Sequence, residues 1–203
     1  MYRFFIKPFF DFIISMLGVI IASPLFCVIT LVLIFINRGK PFLLQKRPGK
    51  NGQIFQLIKF RSMNDLRDAS GNLLPSEERI TKVGSFLRTT SLDEIPQIIN
   101  ILKGDMSLIG PRPLLSQYLD LYNAFQNRRH EVKPGITGWA QINGRNATSW
   151  SQRFEYDVWY VEHISFVLDI KIFFKTIKKV FIREGINNSE SVDMPLFQGN
   201  YDH

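Results

Sequence analysis

The sequence predicts a mainly α protein with a small β element, organised as a membrane segment, a compact cytosolic domain and a short tail. Three observations predict it. Residues Phe12 to Ile36 run for 25 positions without a charge. Residues 165–183 repeat apolar side chains at helical spacing, with lysines on a roughly opposite face. Between these stretches lie short, turn-bounded segments, of which only "QIFQLIKFRSM" reads as a strand. The boundaries fall at 1–36 for the membrane segment, 37–185 for the membrane-associated domain that includes the amphipathic helix, and 186–203 for the tail.

A chain of 203 residues is long enough for one domain with a real core. Its formal net charge of +7 points to an anionic partner: nucleic acid, anionic lipid or a phosphorylated substrate. No basic groove with stacking aromatics and no recognisable module is legible, which argues against nucleic acid. The single cysteine, Cys27, excludes an internal disulfide and suits a reducing compartment. The three histidines, His130, His163 and His203, are scattered and form no zinc-ligand spacing.

As one helix, the apolar segment would be ~38 Å long, more than the hydrocarbon core of a bilayer requires. "NRGKPF" follows it, not a small-residue cleavage site, so a signal peptide is a poor reading. Pro24 lacks the amide that would bond the Ile20 carbonyl, and Ser23 can supply a local hydrogen bond in its place. Arg3 and Lys7 precede the segment, and Arg38, Lys40, Lys46, Arg47 and Lys50 follow it. Basic residues favour the cytoplasmic side, and here both flanks are basic. Two arrangements fit: one tilted span, or a hairpin that breaks at Ser23–Pro24 and returns to the same face.

Further along, "NDLRDASGNLLPSEERIT" reads as a polar loop. Short helices are expected at "KVGSFLRTT" and from about residue 94 to Leu102, the second stopped by Lys103–Gly104. "GPRP" at 110–113 is a rigid turn, 114–129 a helix, and "KPGITGWAQINGRN" a long loop. The helix over 165–183 is either a core-facing helix with a solvated lysine side or an interfacial helix whose lysines meet anionic headgroups. No Gly-rich phosphate loop of the common kinds is present.

The chemistry concentrates in "SLDEIPQ", residues 91–97. Ser91 and Glu94 have capping-box spacing, but with Ser91 as N-cap, Pro96 would clash with the Leu92 carbonyl. The helix then starts nearer Leu92–Ile95, with Asp93 at its mouth, where amides and the helix dipole would hold it ionised. Lys59, Arg61, Arg88, Arg112 and Arg145 lie in or beside turns, and guanidinium groups suit bidentate phosphate binding. Carboxylates with arginines and without histidines suggest magnesium-assisted phosphoryl chemistry, in which an Asp is a possible nucleophile. A cap without catalysis is the competing reading of the same stretch.

The motifs "ASP", "KFRSM", "RTTSLDEIPQ", "GDMSLIGPRP", "PGITGWAQINGRN" and "YDVWYVEH", in this order, resemble the small monotopic phosphoglycosyl transferases of bacteria, most closely PglC-like enzymes. The similarity runs to about residue 185, and the chain looks like the minimal catalytic form of the family. The resemblance implies a re-entrant membrane helix hairpin at Ser23 and Pro24, interfacial amphipathic helices, and a place on the cytoplasmic face of the bacterial inner membrane among anionic lipids. It implies transfer of a phosphosugar from a UDP-sugar to undecaprenyl phosphate with release of UMP, as the first membrane step of N-glycan assembly. UDP-diacetylbacillosamine or a related N-acetylated amino sugar would be the donor. Asp93 would carry the phosphosugar covalently, Glu94 would help place Mg²⁺ or manage a proton, and Asp93 and Glu94 would be the metal ligands. Lys59, Arg88, Arg112 and Arg145 would hold phosphates, with Asp157 and Asp169 in support or in structural salt bridges. A membrane-anchored basic scaffold, or a glycosyltransferase releasing UDP, are the alternatives.

Overall fold

In the computed structural model, which describes residues 1–144, 149–182 and 195–199, the apolar segment forms one helix, α1 (Lys7–Ile36), entered through a π-helical turn over Tyr2–Ile6. The helix does not divide in two at Ser23–Pro24. The Ile20 carbonyl, which Pro24 cannot serve, accepts a hydrogen bond from Ser23 Oγ at 2.8 Å, so the helix continues through the proline. The stretch Tyr2–Ile36 is long and apolar enough to cross a membrane.

Both halves of α1 touch the rest of the molecule. Lys7, Asp11 and Ser15, spaced four apart, are buried. Asp11 accepts hydrogen bonds from Ser107 Oγ (2.6 Å) and the Leu108 amide (3.3 Å). Further along, the Phe26 ring packs against Phe42 and Phe60, with centroids 5.8 and 5.2 Å apart. Ile29 and Leu33 join Phe60 and Leu87 in a core cluster. Between the halves, Val19, Ile20, Ile21, Ser23, Pro24 and Leu25 are exposed.

Strands β1 (Phe42–Pro48) and β2 (Ile54–Phe60) form an antiparallel hairpin, in register from Phe42↔Phe60 to Pro48↔Ile54. The turn carries Asn51 and Gly52 at φ of 56° and 73°, residues that accept the left-handed region most readily. The sequence marks β2 as a strand. Its partner β1 contains Lys46 and Arg47, and its sequence reads as a membrane flank rather than a strand. The polar stretch after β2 holds an Asp68-centred turn, a bridge between Arg67 and Leu73, and a single helical turn, α2 (Ser76–Arg79).

Helix α3 (Lys82–Thr89) starts at Thr81, whose hydroxyl accepts from the Gly84 amide. A Cβ at Gly84 would lie 1.8 Å from the Ser62 carbonyl oxygen, so only glycine lets α3 rest on the chain leaving β2. A 3₁₀ turn over Leu92–Glu94 leads through Pro96 into α4 (Gln97–Leu102), which ends at Lys103 and Gly104 as expected. Strand β3 (Ser107–Ile109) pairs in parallel with β4 (Gly135–Thr137), a strand inside the segment expected as loop. A Cβ at Gly138 would lie 2.1 Å from the Gly110 carbonyl oxygen, which clamps the start of the Gly110–Pro113 turn.

The helix expected over 114–129 is broken into a 3₁₀ turn (Ser116–Leu121), α5 (Ala124–Asn127) and a second 3₁₀ turn (Arg128–Glu131). Tyr122 is extended there, and Asn123 restarts the helix with a full capping box to Gln126. The capping side chain wins over helix continuation. Helix α6 (Trp139–Asn143) follows β4. Helix α7 (Trp150–His163) supplies Phe154, Val158, Tyr160 and Val161 to the core, and α8 (Phe166–Ile182) packs against α6, β3 and β4.

Helix α8 occupies the predicted span, yet its inward face is not the apolar stripe. Leu168, Asp169 and Ile172 are buried, while Phe166, Val167, Ile170, Phe173, Phe174 and Ile177 are exposed. Part of the tail is also in place: Trp150 Nε1 donates to the Pro195 carbonyl (2.8 Å), and Phe197 packs with Tyr118 and Phe154.

Candidate active site

Leu92 and Ile95 pack against the Phe60–Leu87 cluster, which pins the turn between them and holds Asp93 and Glu94 in place. Ser91 sits at φ 56° and caps nothing with its side chain. The capping box suggested by the sequence is therefore not formed, because Pro96 forces the helix to begin after the dyad rather than before it.

Around this turn three elements deliver cations. Strand β2 brings Lys59, whose Nζ lies 2.7 Å from Glu94 Oε1 and 3.7 Å from Asp93 Oδ2. The rigid Gly110–Pro113 turn brings Arg112, whose Nη2 donates to Glu94 Oε1 at 2.6 Å and Nη1 to Oε2 at 3.5 Å. The last turn of α3 brings Arg88 close enough to act electrostatically on Asp93. Five sequence-predicted residues thus converge: Lys59, Arg88, Asp93, Glu94 and Arg112. Arg145 lies outside the described residues.

The two adjacent carboxyls are in opposite electrostatic conditions. Burial pushes Glu94 up, but Arg112 and Lys59, through charge and hydrogen bonds together, outweigh it and hold Glu94 well below the usual carboxylate range. Burial dominates at Asp93, aided by the Glu94 charge, and its pKa is raised although Lys59, Arg112 and Arg88 oppose the shift. The expectation that backbone amides hold Asp93 ionised is corrected accordingly. Asp93 accepts no hydrogen bond among the described residues, and its nearest cation stands at ion-pair rather than hydrogen-bond distance.

Asp157 and Asp169 sit in buried ion pairs. Asp157 Oδ2 accepts from Arg129 Nη2 and Nε at 2.7 and 3.1 Å, a buried pair. Asp169 accepts from Lys7 Nζ (2.7 Å), Tyr2 (2.6 Å) and Tyr160 (2.8 Å), joining the start of α1 to α7 and α8. Arg129, which sequence reading passes over inside an expected helix, has a second duty. Its Nη2 donates to the Arg112 carbonyl at 2.7 Å and fixes the turn that presents Arg112 to Glu94. No spacing rule in "NRRHE" announces this; only the fold brings 129 beside 112 and 157.

The donor set bears on the expected Mg²⁺. No group of three or more His, Cys, Asp or Glu suited to a metal occurs among the described residues. Both Glu94 oxygens are engaged by cations, so Glu94 fits a ligand role poorly. Asp93 retains acceptor capacity and fits the usual Mg²⁺ arrangement of one carboxylate completed by substrate phosphates and water.

Residues 2–183 match the bacterial sugar transferase family. Over 198 residues the chain is 50% identical to an uncharacterized sugar transferase, EpsL, of Bacillus subtilis (strain 168), covering 97% of this chain and 98% of that one. It is 37% identical over 196 residues to the exopolysaccharide production protein ExoY of Sinorhizobium fredii (strain NBRC 101917 / NGR234), covering 88% of this chain and 87% of that one. A third relative is the UDP-glucose:undecaprenyl-phosphate glucose-1-phosphate transferase of Escherichia coli (strain K12), 40% identical over 185 residues. There the match takes in 86% of this chain and 40% of the relative. The chain belongs to the bacterial sugar transferase family.

Proposed function

We propose that this member of the bacterial sugar transferase family transfers a sugar 1-phosphate from a UDP-sugar to undecaprenyl phosphate by way of a phosphosugar carried on Asp93. The observation that carries the reading is the inequality of the dyad. Glu94 is saturated by Lys59 and Arg112, whereas Asp93, beside the same cations, has an oxygen to offer. Glu94 then serves to hold Lys59 and Arg112 in position, which assigns the two carboxylates separate roles.

In the first step an Asp93 carboxylate oxygen attacks the β-phosphorus of the UDP-sugar. The bond from that phosphorus to the bridging oxygen breaks, and UMP leaves with the electron pair. In the second step a phosphate oxygen of undecaprenyl phosphate attacks the same phosphorus, forming the diphosphate and returning the Asp93 carboxylate. Lys59, Arg88 and Arg112 surround Asp93 with positive charge that stabilises the developing negative charge on the transferring phosphoryl group. Bound Mg²⁺, held by Asp93 and substrate phosphates, would add charge neutralisation at the diphosphate.

The topology reading is that α1, continuous through Pro24, bends there in the membrane so that both its ends lie with α8 on the cytoplasmic face. Two features support it. Both halves of α1 pack on the same domain while its middle, around Pro24, stands exposed and apolar. The exposed apolar face of α8, with Lys171 and Lys175 set over the Trp139 ring at 5.7 and 5.9 Å, has the character of an interfacial helix. An acceptor whose phosphate lies at the headgroups and a donor from water can then both reach Asp93.

One relative is named for galactose, an undecaprenyl-phosphate galactose phosphotransferase, and another for glucose. The diacetylbacillosamine expectation takes no support from those names and belongs in the panel with N-acetylhexosamines. The test is nucleotide release from a panel of UDP-sugars with Mg²⁺ and undecaprenyl phosphate. UMP is expected; UDP would mean glycosyl transfer, and no nucleotide from any sugar would favour an anchored binding protein.

A further inference from the structure

Arg47, counted by sequence among the basic residues that flank the membrane, turns out to be half-buried near the end of β1. Its Nη2 donates to the neutral Gln45 side chain at 2.9 Å, and its Nε is buried with no hydrogen-bond partner. No carboxylate reaches it among the described residues. The next residue, Pro48, is fully buried and lines a small cavity together with Pro111, Arg112 and Arg129. Burial and the Arg112 charge both push Arg47 down from its ordinary value. Arg153, its guanidinium 5.1 Å over the Trp150 ring, is pushed down by burial and faces the Asp157 carboxylate as well as Arg112 and Arg129. A half-buried guanidinium beside a second one, without an acid between them, is an arrangement that an anion relieves.

The direction of this cluster says which anion. The hairpin register places Lys59 opposite Leu43 and Phe60 opposite Phe42, at the end where Phe26 of α1 packs. Arg47 lies opposite Phe55, four residues or ~13 Å along the strand from the pair that holds Lys59. Arg112 pairs with Glu94 and lines the same small cavity as Pro48, the residue after Arg47. The series Lys59, Arg112, Arg47 therefore leads from the reacting carboxylate away from the half of α1 that carries Phe26, a course that suits a water-borne donor better than a lipid phosphate.

We propose that Arg47, next to Arg112, holds the phosphate that departs with the nucleoside, so that β1 forms the nucleotide subsite of the donor site. The inference rests on the UDP-sugar reading above. Arg47 contacts the leaving phosphate before and after the β-phosphorus bond breaks, and so governs both donor binding and UMP release.

The test uses the full chain in lipid nanodiscs with the active UDP-sugar, comparing wild type with Arg47→Gln and Arg47→Lys. Three quantities are read: the donor KM, inhibition by added UMP, and the KM for undecaprenyl phosphate. Arg47→Gln is expected to weaken UMP inhibition and raise the donor KM by about tenfold, together, with the acceptor KM unchanged. Arg47→Lys, which keeps the charge but loses the fork, should fall between and carries the test if the glutamine variant does not fold. Unchanged UMP inhibition in a folded, active variant overturns the proposal, and so does a rise confined to the acceptor KM, which would assign Arg47 to the lipid phosphate. Wild type that releases no UMP from any UDP-sugar defeats the functional reading itself, a result distinguishable from either.

Discussion

Asp93 and Glu94 are neighbours in sequence and opposites in environment. Glu94 is stabilised as an anion by Arg112 and Lys59; its contribution to stability is present above the ordinary carboxylate range and is lost only as pH falls through its depressed value. Asp93 has the reverse sign. The fold binds its proton more tightly than the unfolded chain does, so ionising it disfavours the folded state as pH rises through its raised value. Asp93→Asn is therefore expected to leave the melting temperature at pH 7 unchanged or higher while transfer falls by roughly 10³-fold or more. A capping role would instead cost about 1 kcal/mol of stability with activity kept. The acid limb of kcat/KM should lie above the ordinary aspartate range. Lys59→Met, which removes a cation that lowers Asp93, should move that limb to still higher pH. The sequence exposed the dyad and most of its cations, because turn-bound arginines beside paired carboxylates are conspicuous. It could not tell one carboxylate from the other, since that difference is made by Lys59 and Arg112 arriving from distant segments.

Among the elements, α1 and α8 were legible from period and composition, whereas β1, β4 and α6 were not. Short strands framed by glycine and basic residues carry too little pattern, and a single capping asparagine, Asn123, was enough to break a helix that periodicity favoured. The polar contacts that fix the elements were equally hidden. The Arg129–Asp157 pair is buried, and removing one partner leaves an uncompensated charge, so Asp157→Asn should lower stability by about 3 kcal/mol. In thermal unfolding the variant should melt earlier, and below its transition it should retain donor turnover, which a catalytic Asp157 would not allow. On α8, Phe173→Asp with Phe174→Asp should weaken flotation with anionic vesicles without lowering the melting temperature in detergent, because both rings are exposed.

For the molecule as a whole, the chain brings a helix long and apolar enough to cross a membrane, an exposed apolar face on α8 and a cluster of carboxylates and cations together. A re-entrant α1 predicts that a tag at Met1 stays protected from an impermeant reagent in intact cells; labelling from outside would indicate a span. The deepest commitment is the covalent step, and the most direct test omits the acceptor. Full-length protein mixed with a radiolabelled UDP-sugar and Mg²⁺, without undecaprenyl phosphate, should release UMP in a burst stoichiometric with enzyme and retain the sugar phosphate on the protein. The label should map to the peptide containing Asp93, disappear on adding undecaprenyl phosphate, and be absent in Asp93→Asn. Nucleotide release that waits for the lipid acceptor, with no labelled protein at any time, would contradict the account and indicate direct transfer between the two substrates.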